Sequence, residues 1–127
     1  MFENEVSRHI VDAAFRIHTT LGTGLFESVY QVTLEYELNK RGLSFDRQKP
    51  IPVVYETIRL EKGFRADFIV EDKVIVELKS VEVTASIHRK QLLTYLRLAD
   101  KRLGLLINFN VSLIKDGISS VVNALPE

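Results

Sequence analysis

The sequence predicts a single α/β domain in which helices flank one mixed sheet, and three observations support this fold class. The chain has 127 residues, which is the length of one domain, since domains commonly contain roughly 100 to 200 residues. Hydrophobic residues make up 46% of the chain, enough to form a buried core. The apolar pattern changes from a helical to an alternating period after Gly42, and back again near Thr84. We therefore expect residues 1–127 to fold as one unit.

Two helices are predicted before Gly42. In residues 5–21 a single apolar stripe recurs at helical spacing, formed by Val6, Ile10, Ala13, Ala14, Ile17 and Leu21. Gly22 is placed to end this helix in a left-handed conformation. The second helix is predicted over residues 24–41, with the inward side chains Phe26, Val29, Tyr30, Leu34 and Leu38. The short break between the two helices predicts a helical hairpin.

The next part of the chain predicts an antiparallel meander of strands. The predicted strands cover residues 51–55, 58–61, 64–70 and 74–80. Pro50 and Pro52 favour an edge position for the first of them, and Lys62-Gly63 is expected to be a turn. The polar sequence Glu71-Asp72-Lys73 predicts a tight hairpin loop between the last two strands.

The remaining elements are a helix, a strand and a short final element. Thr84 or Ser86 can cap a helix that ends near residue 100. Residues 103–109 form a continuous apolar run, which is typical of a strand buried on both faces. A last short element is expected within residues 111–125.

Composition excludes several function classes. The chain has 17 Lys and Arg against 17 Asp and Glu, so an anionic partner must be bound by a local patch and not by the overall field. The absence of Cys excludes disulfides, zinc-thiolate sites and thiol nucleophiles. The first residues are acidic, where a secretory signal would be basic. No apolar run approaches the roughly 18 residues that a membrane span needs. We expect a soluble, cytoplasmic protein without membrane contact.

The predicted hairpin brings two carboxylates together. Period two places Val74, Val76 and Leu78 on the core face, and Ile75, Glu77 and Lys79 on the other. On the preceding strand Phe64, Ala66, Phe68 and Val70 share the core face, and Arg65, Asp67 and Ile69 share the opposite one. A hairpin centred on Asp72 then places Asp67 opposite Glu77, within roughly 5.5 Å between Cα atoms.

Like charges opposite each other destabilise a sheet unless a cation lies between them. Mg²⁺ prefers oxygen ligands and is commonly bound by one or two carboxylates, and Lys79 on the same face could orient a water or stabilise charge on a phosphate. The pattern thus fits metal-assisted phosphodiester hydrolysis. An exposed salt-bridge ladder with Lys79 between two acids is an alternative of about equal weight.

The same residues resemble a known nuclease family. Asp67, followed after nine residues by Glu77-Leu78-Lys79, resembles the Asp and Glu-x-Lys signature of the PD-(D/E)XK nuclease superfamily, with Ala66 in place of its proline. The segment from Gly24 to Tyr30 reads Gly-x-x-Glu-x-x-Tyr and resembles the motif that names the GxxExxY family, a small single-domain branch. Further similar stretches, at residues 18–22, 47–50, 65–67, 91–95 and 105–109, extend the resemblance over nearly the whole chain.

The resemblance implies a restriction-endonuclease-like core of helix, meander, helix and strand. It implies that Glu27, Asp67 and Glu77 are metal-binding carboxylates for Mg²⁺ or Mn²⁺, and that Lys79 is the catalytic lysine. Gln91 and Tyr95 resemble a Gln-x-x-x-Tyr motif found after the lysine strand in some nucleases. The implied substrate is nucleic acid, with DNA favoured over RNA.

Several of these residues have simpler interpretations that stay open. Glu27 suits the first turn of a helix through the helix dipole, and shares a face with Tyr30. Gln91 and Tyr95 could be a buried amide and hydroxyl bonded to the backbone. His18 is a candidate neighbour of the site, although a lone histidine is more often a packing or capping residue. The remaining cations beside the expected site are Arg65, Arg89, Lys90 and Arg97.

Two functions of different classes follow. The complete set of acids and lysine favours a metal-dependent nuclease. Neutral net charge and small size favour a non-catalytic module that uses the nuclease fold for binding or assembly. A 127-residue monomer offers little surface for gripping a duplex, so a homodimer is a further hypothesis.

Overall fold

The computed structural model describes residues 1–123. Helices α1 (Glu3–Leu21) and α2 (Glu27–Lys40) form the predicted hairpin. The stripe on α1 is buried as expected up to Ile17, but Leu21 is 38% exposed. The prediction for the start of α2 was wrong, because the helix begins only at Glu27, so Phe26 precedes it and is 82% exposed. Val29, also expected inside, lies on the outer side of the first turn and is exposed.

A five-stranded sheet has the order β1-β2-β3-β4-β5. Its strands are β1 (Phe45–Tyr55), β2 (Ile58–Val70), β3 (Val74–Lys79), β4 (Leu103–Asn108) and β5 (Ile118–Val122). The first three form the predicted antiparallel meander, with β1 at the edge. Strands β3 and β4 are parallel, and β4 and β5 are antiparallel. The sheet is therefore mixed, as the sequence predicted.

Strand β2 is longer than predicted, since no turn interrupts it at Lys62-Gly63 and one strand runs from Ile58 to Val70. Gly63 has a different role there: a Cβ at this position would lie 2.1 Å from Cγ2 of Val53 on β1. The glycine thus permits close packing of the two strands. β1 and β2 form a long hairpin that extends beyond the rest of the sheet.

The predicted alternation of β2 fails between Ala66 and Phe68. Phe68 and Val70 pack with the helical hairpin, whereas Ala66 packs on the opposite face, together with Ile69. The backbone is irregular at this point: Gln48, which the register places opposite Asp67, has a positive φ of 57°. Phe64 and Ala66 therefore lie on the face that also carries Asp67.

Both faces of the sheet are covered. The helical hairpin packs on one face, and helix α3 (Ser86–Ala99) packs on the other through Leu92 and Leu96. The residue before α3 is Ala85, so neither Thr84 nor Ser86 provides the predicted side-chain cap. β3 is buried on both faces, although only β4 was expected to be.

The segment after β4 contains a short 3₁₀ helix (Ile114–Gly117) that leads directly into β5. One short element was expected within residues 111–125, and the described part of this segment contains two; the predicted end at residue 125 lies outside the described residues. Within residues 1–123, no helix combines the length and apolar character needed to cross a membrane.

Candidate active site

Asp67 and Glu77 meet where the ladder between β2 and β3 ends. The last strand pairs are Val70 with Val74, Ile69 with Ile75 and Phe68 with Val76, as the hairpin centred on Asp72 requires. One position further on, Oδ2 of Asp67 accepts a hydrogen bond of 2.8 Å from the backbone N–H of Leu78. The aspartate side chain thus takes a hydrogen bond from the neighbouring strand, which fixes its carboxylate beside Glu77.

Glu77 is a buried carboxyl group in an unusual environment. The residue is 7% exposed, and within the described chain its Oε1 atom is buried without a hydrogen-bond partner. Burial, together with the negative charge of Asp67, raises the pKa of Glu77 to about 9, although Lys79 opposes this shift. A carboxyl group held in this way needs either a proton or a cation.

Lys79 ends β3 on the same face as Glu77. The side chain is half-buried and lines the same pocket as the two carboxylates. Among residues 1–123, Lys79 has no ion pair within 4.0 Å of either acid. The alternative of an exposed salt-bridge ladder does not fit, because Glu77 is buried and Lys79 is free to contact a ligand.

Helix α3 provides the other wall of a pocket of about 210 Å³. We call this the acidic pocket; it is lined by Arg65, Asp67, Glu77, Lys79, His88, Gln91, Tyr95 and Leu106. Gln91 is exposed, so it is not the buried amide of the alternative interpretation. Tyr95 is half-buried and stacks on Phe64, with ring centroids 3.7 Å apart. Burial, followed by the charges of Glu77 and Asp67, raises the pKa of Tyr95.

The segment containing the Gly-x-x-Glu-x-x-Tyr pattern docks onto the end of β3. The Tyr30 hydroxyl donates to the Gly22 carbonyl oxygen at 2.7 Å, and its ring stacks on Phe109 at 4.3 Å. Ser80, which follows Lys79, donates through Oγ to the Leu25 carbonyl oxygen at 2.7 Å. These contacts hold the loop before α2 against the strand that carries the lysine.

The structure separates Glu27 and His18 from the acidic pocket. Glu27 lines a neighbouring cavity together with Ser80 and Asn110. Within residues 1–123, no cluster of three or more His, Asp or Glu side chains is placed to hold a metal ion, so Glu27 does not join Asp67 and Glu77 here. Nε2 of His18 lies 2.7 Å from the Val111 carbonyl oxygen, which fits the packing interpretation of this histidine.

Comparison with known proteins identifies the family of the chain. The family model described as the PD-(D/E)XK nuclease superfamily matches residues 4–121. The chain belongs to this superfamily. The sequence resemblance is confirmed at this level, and the observed mixed sheet with its flanking helices is consistent with the family fold. Searches of curated proteins and of solved structures found no match.

The acidic pocket fits a divalent cation of the kind that superfamily membership implies. Two carboxylates from adjacent strands supply oxygen donors, and Mg²⁺ commonly needs no more than one or two protein carboxylates. The buried Oε1 atom of Glu77, which has no partner in the described residues, would gain one. The site chemistry therefore agrees with the donor set of an oxygen-preferring metal.

Two residues near the site had not been singled out from the sequence. His88 lines the acidic pocket, and its Nδ1 accepts a hydrogen bond from the Ala85 N–H. Its spacing from Gln91 and Tyr95 places all three on one helical face, which was the available signal. Asn108 is buried, and its side chain bonds both backbone polar groups of Val81. It secures the segment that follows Lys79.

Proposed function

We propose that the protein is a divalent-metal-dependent nuclease that hydrolyses phosphodiester bonds, with DNA favoured over RNA and Mg²⁺ or Mn²⁺ as the ion. The observation that carries this proposal is the buried Glu77 carboxyl group, whose Oε1 atom has no partner within the described chain, beside Asp67. A structural pair of acids would be stabilised by donors from the protein. An unsatisfied buried oxygen is instead expected where a ligand completes the site.

The proposed reaction adds water across a P–O bond of the nucleic-acid backbone. A bound divalent ion would neutralise the carboxylates and polarise a phosphate oxygen. Lys79 is placed to orient the attacking water or to stabilise negative charge that develops on the phosphate. Gln91 and Tyr95, on the α3 wall of the pocket, are placed to position the substrate strand.

The roles of Glu27 and Arg65 belong to the same proposal. Arg65 lines the acidic pocket and is exposed, so it can pair with a phosphate next to the one that is cut. Glu27 lies beside Ser80, which follows β3. From this position it would contact a bound ligand that is larger than a single metal ion. Membership of the GxxExxY branch is part of this proposal and rests on residues 24–30.

Cleavage assays on a Lys79→Ala variant test the proposal. Wild-type protein is assayed on single-stranded, duplex and branched DNA and on RNA, first with Mg²⁺ and then with Mn²⁺. Lys79→Ala should retain the fold and metal binding but cut roughly a hundredfold or more slowly, which is the usual effect of losing one electrostatic or acid–base group. The matched control is Lys115→Ala, because Lys115 is exposed on the short 3₁₀ helix and does not line the acidic pocket.

Two outcomes would contradict the proposal. Equal cleavage by wild type and Lys79→Ala would show that the activity comes from a contaminant or from another site. Complete inactivity of purified wild type on every substrate would favour the non-catalytic binding module.

A further inference from the structure

An open groove of about 450 Å³ continues from the acidic pocket along α3. Gln91 and Tyr95 line both the acidic pocket and the groove, so the two spaces share a wall. We call it the α3 groove. It lies between α3 and the long β1–β2 hairpin, and its other main wall residues are Val53, Phe64, Ile87, Lys90, Thr94 and Leu98.

The walls of the α3 groove are mainly apolar and aromatic. The rings of Phe64 and Tyr95 are stacked nearly parallel, at 12°, and both residues line the groove. Ile87 is 52% exposed and Leu98 is 37% exposed, so both offer apolar surface to a ligand in the groove. Such surfaces suit the flat faces of nucleobases, which pack on aromatic and apolar side chains.

Cations lie where a nucleic-acid backbone would pass. Lys90 lines the groove, and Arg65 lies on the wall of the acidic pocket. Both side chains are exposed and can pair with phosphates on either side of a bound base. Thr94 donates its hydroxyl hydrogen to the Lys90 carbonyl oxygen at 3.1 Å, which leaves its own oxygen free to accept a hydrogen bond from a base edge.

The accessibility of the base faces argues against a continuous duplex as the occupant. In a continuous duplex the base faces are stacked on each other and cannot reach an apolar groove. An unpaired nucleotide exposes its base while its phosphate stays beside the cations.

We propose that the α3 groove binds an unpaired nucleotide next to the phosphate that is cut, so that the protein acts on single-stranded nucleic acid in preference to continuous duplex. The inference rests on the proposed nuclease function, because it places the scissile phosphate in the acidic pocket. It adds a substrate class and a binding surface to that function.

Binding by groove variants tests the inference directly. Fluorescence anisotropy would compare a labelled oligo(dT) with a labelled hairpin duplex, in Ca²⁺ to prevent turnover. Thr94→Glu adds a negative charge to the groove, and Ile87→Ala removes an apolar wall. The matched controls are Thr19→Glu on α1 and Val32→Ala on α2, because both residues are exposed on the helical hairpin that covers the opposite face of the sheet.

Wild type should bind oligo(dT) more tightly than the duplex. Each groove variant should weaken oligo(dT) binding by about fivefold or more, comparable to the lower end of the effect of losing one base contact, while the controls change it less than about twofold. Equal binding of oligo(dT) and duplex, or groove variants that behave like their controls, would overturn the inference.

Cleavage in Mg²⁺ separates the two proposals. If wild type cuts duplex and single strands equally and the groove variants cut normally, the groove inference fails and the nuclease function stands. If wild type cuts no substrate but binds oligo(dT) in a groove-dependent way, the nuclease function fails, and of the groove inference only the binding of an unpaired nucleotide stands.

Discussion

At the scale of single residues, the main feature is a pair of neighbouring acids whose mutual repulsion is reduced in three ways. The Leu78 N–H stabilises the charge on Asp67, and burial keeps the neighbouring Glu77 protonated near neutral pH. Lys79 supplies a positive charge on the same face. Each is a partial solution, and a divalent cation would satisfy both carboxylates at once.

Substitution of either acid should therefore weaken metal binding. We expect wild type to bind Mg²⁺ or Mn²⁺ at one site, and Asp67→Asn or Glu77→Gln to weaken binding at least about tenfold, since each removes a charged oxygen ligand. Isothermal titration calorimetry measures this. Glu61→Gln is the control, because Glu61 lies on the same strand as Asp67 but is exposed. Binding by the Asp67→Asn, Glu77→Gln double variant equal to wild type would mean that the site is misassigned.

The raised pKa of Glu77 predicts how the metal-free protein responds to pH. The ordinary value is 4.5 and the folded value is about 9, so at intermediate pH the folded protein holds a proton that the unfolded chain releases. The stabilising contribution is complete below about pH 4.5 and is lost as pH rises to about 9. The free energy of unfolding should decrease through this window.

Urea denaturation with a chelator present, from pH 5 to pH 9, tests this dependence. Glu77→Gln carries no titratable group at this position, so it lacks this pH dependence. The free energy of unfolding of wild type, relative to that of Glu77→Gln, should therefore decrease steadily as the pH rises. A constant difference across the range would show that Glu77 has an ordinary pKa in the folded protein.

At the scale of elements, periodicity predicted α1, the hairpin arrangement of α1 and α2, and the register of β2 with β3. The register could be predicted because three polar residues fix the turn and period two then determines each partner. The failures have local tertiary causes. Phe26 has helical spacing but precedes the helix, and the faces of β2 change where Gln48 adopts a positive φ.

The candidate site also combines features that local spacing predicts with features that depend on tertiary contacts. Asp67, Glu77 and Lys79 follow from spacing, because all three lie on paired strands. The position of Glu27 depends on tertiary hydrogen bonds, from Ser80 to the Leu25 carbonyl oxygen and from Tyr30 to Gly22. No local pattern encodes these bonds, so only the resemblance to the GxxExxY motif indicated that this segment lies near the lysine strand.

Helix α3 gives a prediction at Tyr95. The Tyr95 ring stacks on Phe64, and its hydroxyl has no hydrogen bond to another described residue. Tyr95→Phe keeps the stacked ring, so the free energy of unfolding should change by less than about 0.5 kcal/mol, while KM or oligonucleotide affinity worsens. Thr33→Val provides the contrast, because it removes a hydroxyl that does form a hydrogen bond within the protein, to the Tyr30 carbonyl oxygen at 2.9 Å. A loss of about 1 kcal/mol in Tyr95→Phe, the value of a buried hydrogen bond, with unchanged activity would indicate a structural role.

At the scale of the whole molecule, the sheet is a middle layer between the helical hairpin and α3. The apolar residues of β3 face both ways: Val74, Val76 and Leu78 pack toward the hairpin, and Ile75 packs toward α3. Glu77 and Lys79 lie on the α3 side, at the end of the strand. The acidic pocket therefore lies at the edge of a second apolar core, between the sheet and α3, which explains why a carboxyl group there is buried.

Burial in this second core should contribute measurably to stability. Ile75 is fully buried, so Ile75→Ala should lower the free energy of unfolding by about 2 to 5 kcal/mol, the range for removing a large buried aliphatic side chain. Val54→Ala on the exposed β1–β2 hairpin should change it by less than about 0.5 kcal/mol, since Val54 is 57% exposed. Chemical denaturation of both variants in the presence of chelator separates packing from metal binding. If Ile75→Ala were as mild as Val54→Ala, this face of β3 would be solvated. Glu77 would then also contact water, and both its raised pKa and its need for a cation would lose their physical basis.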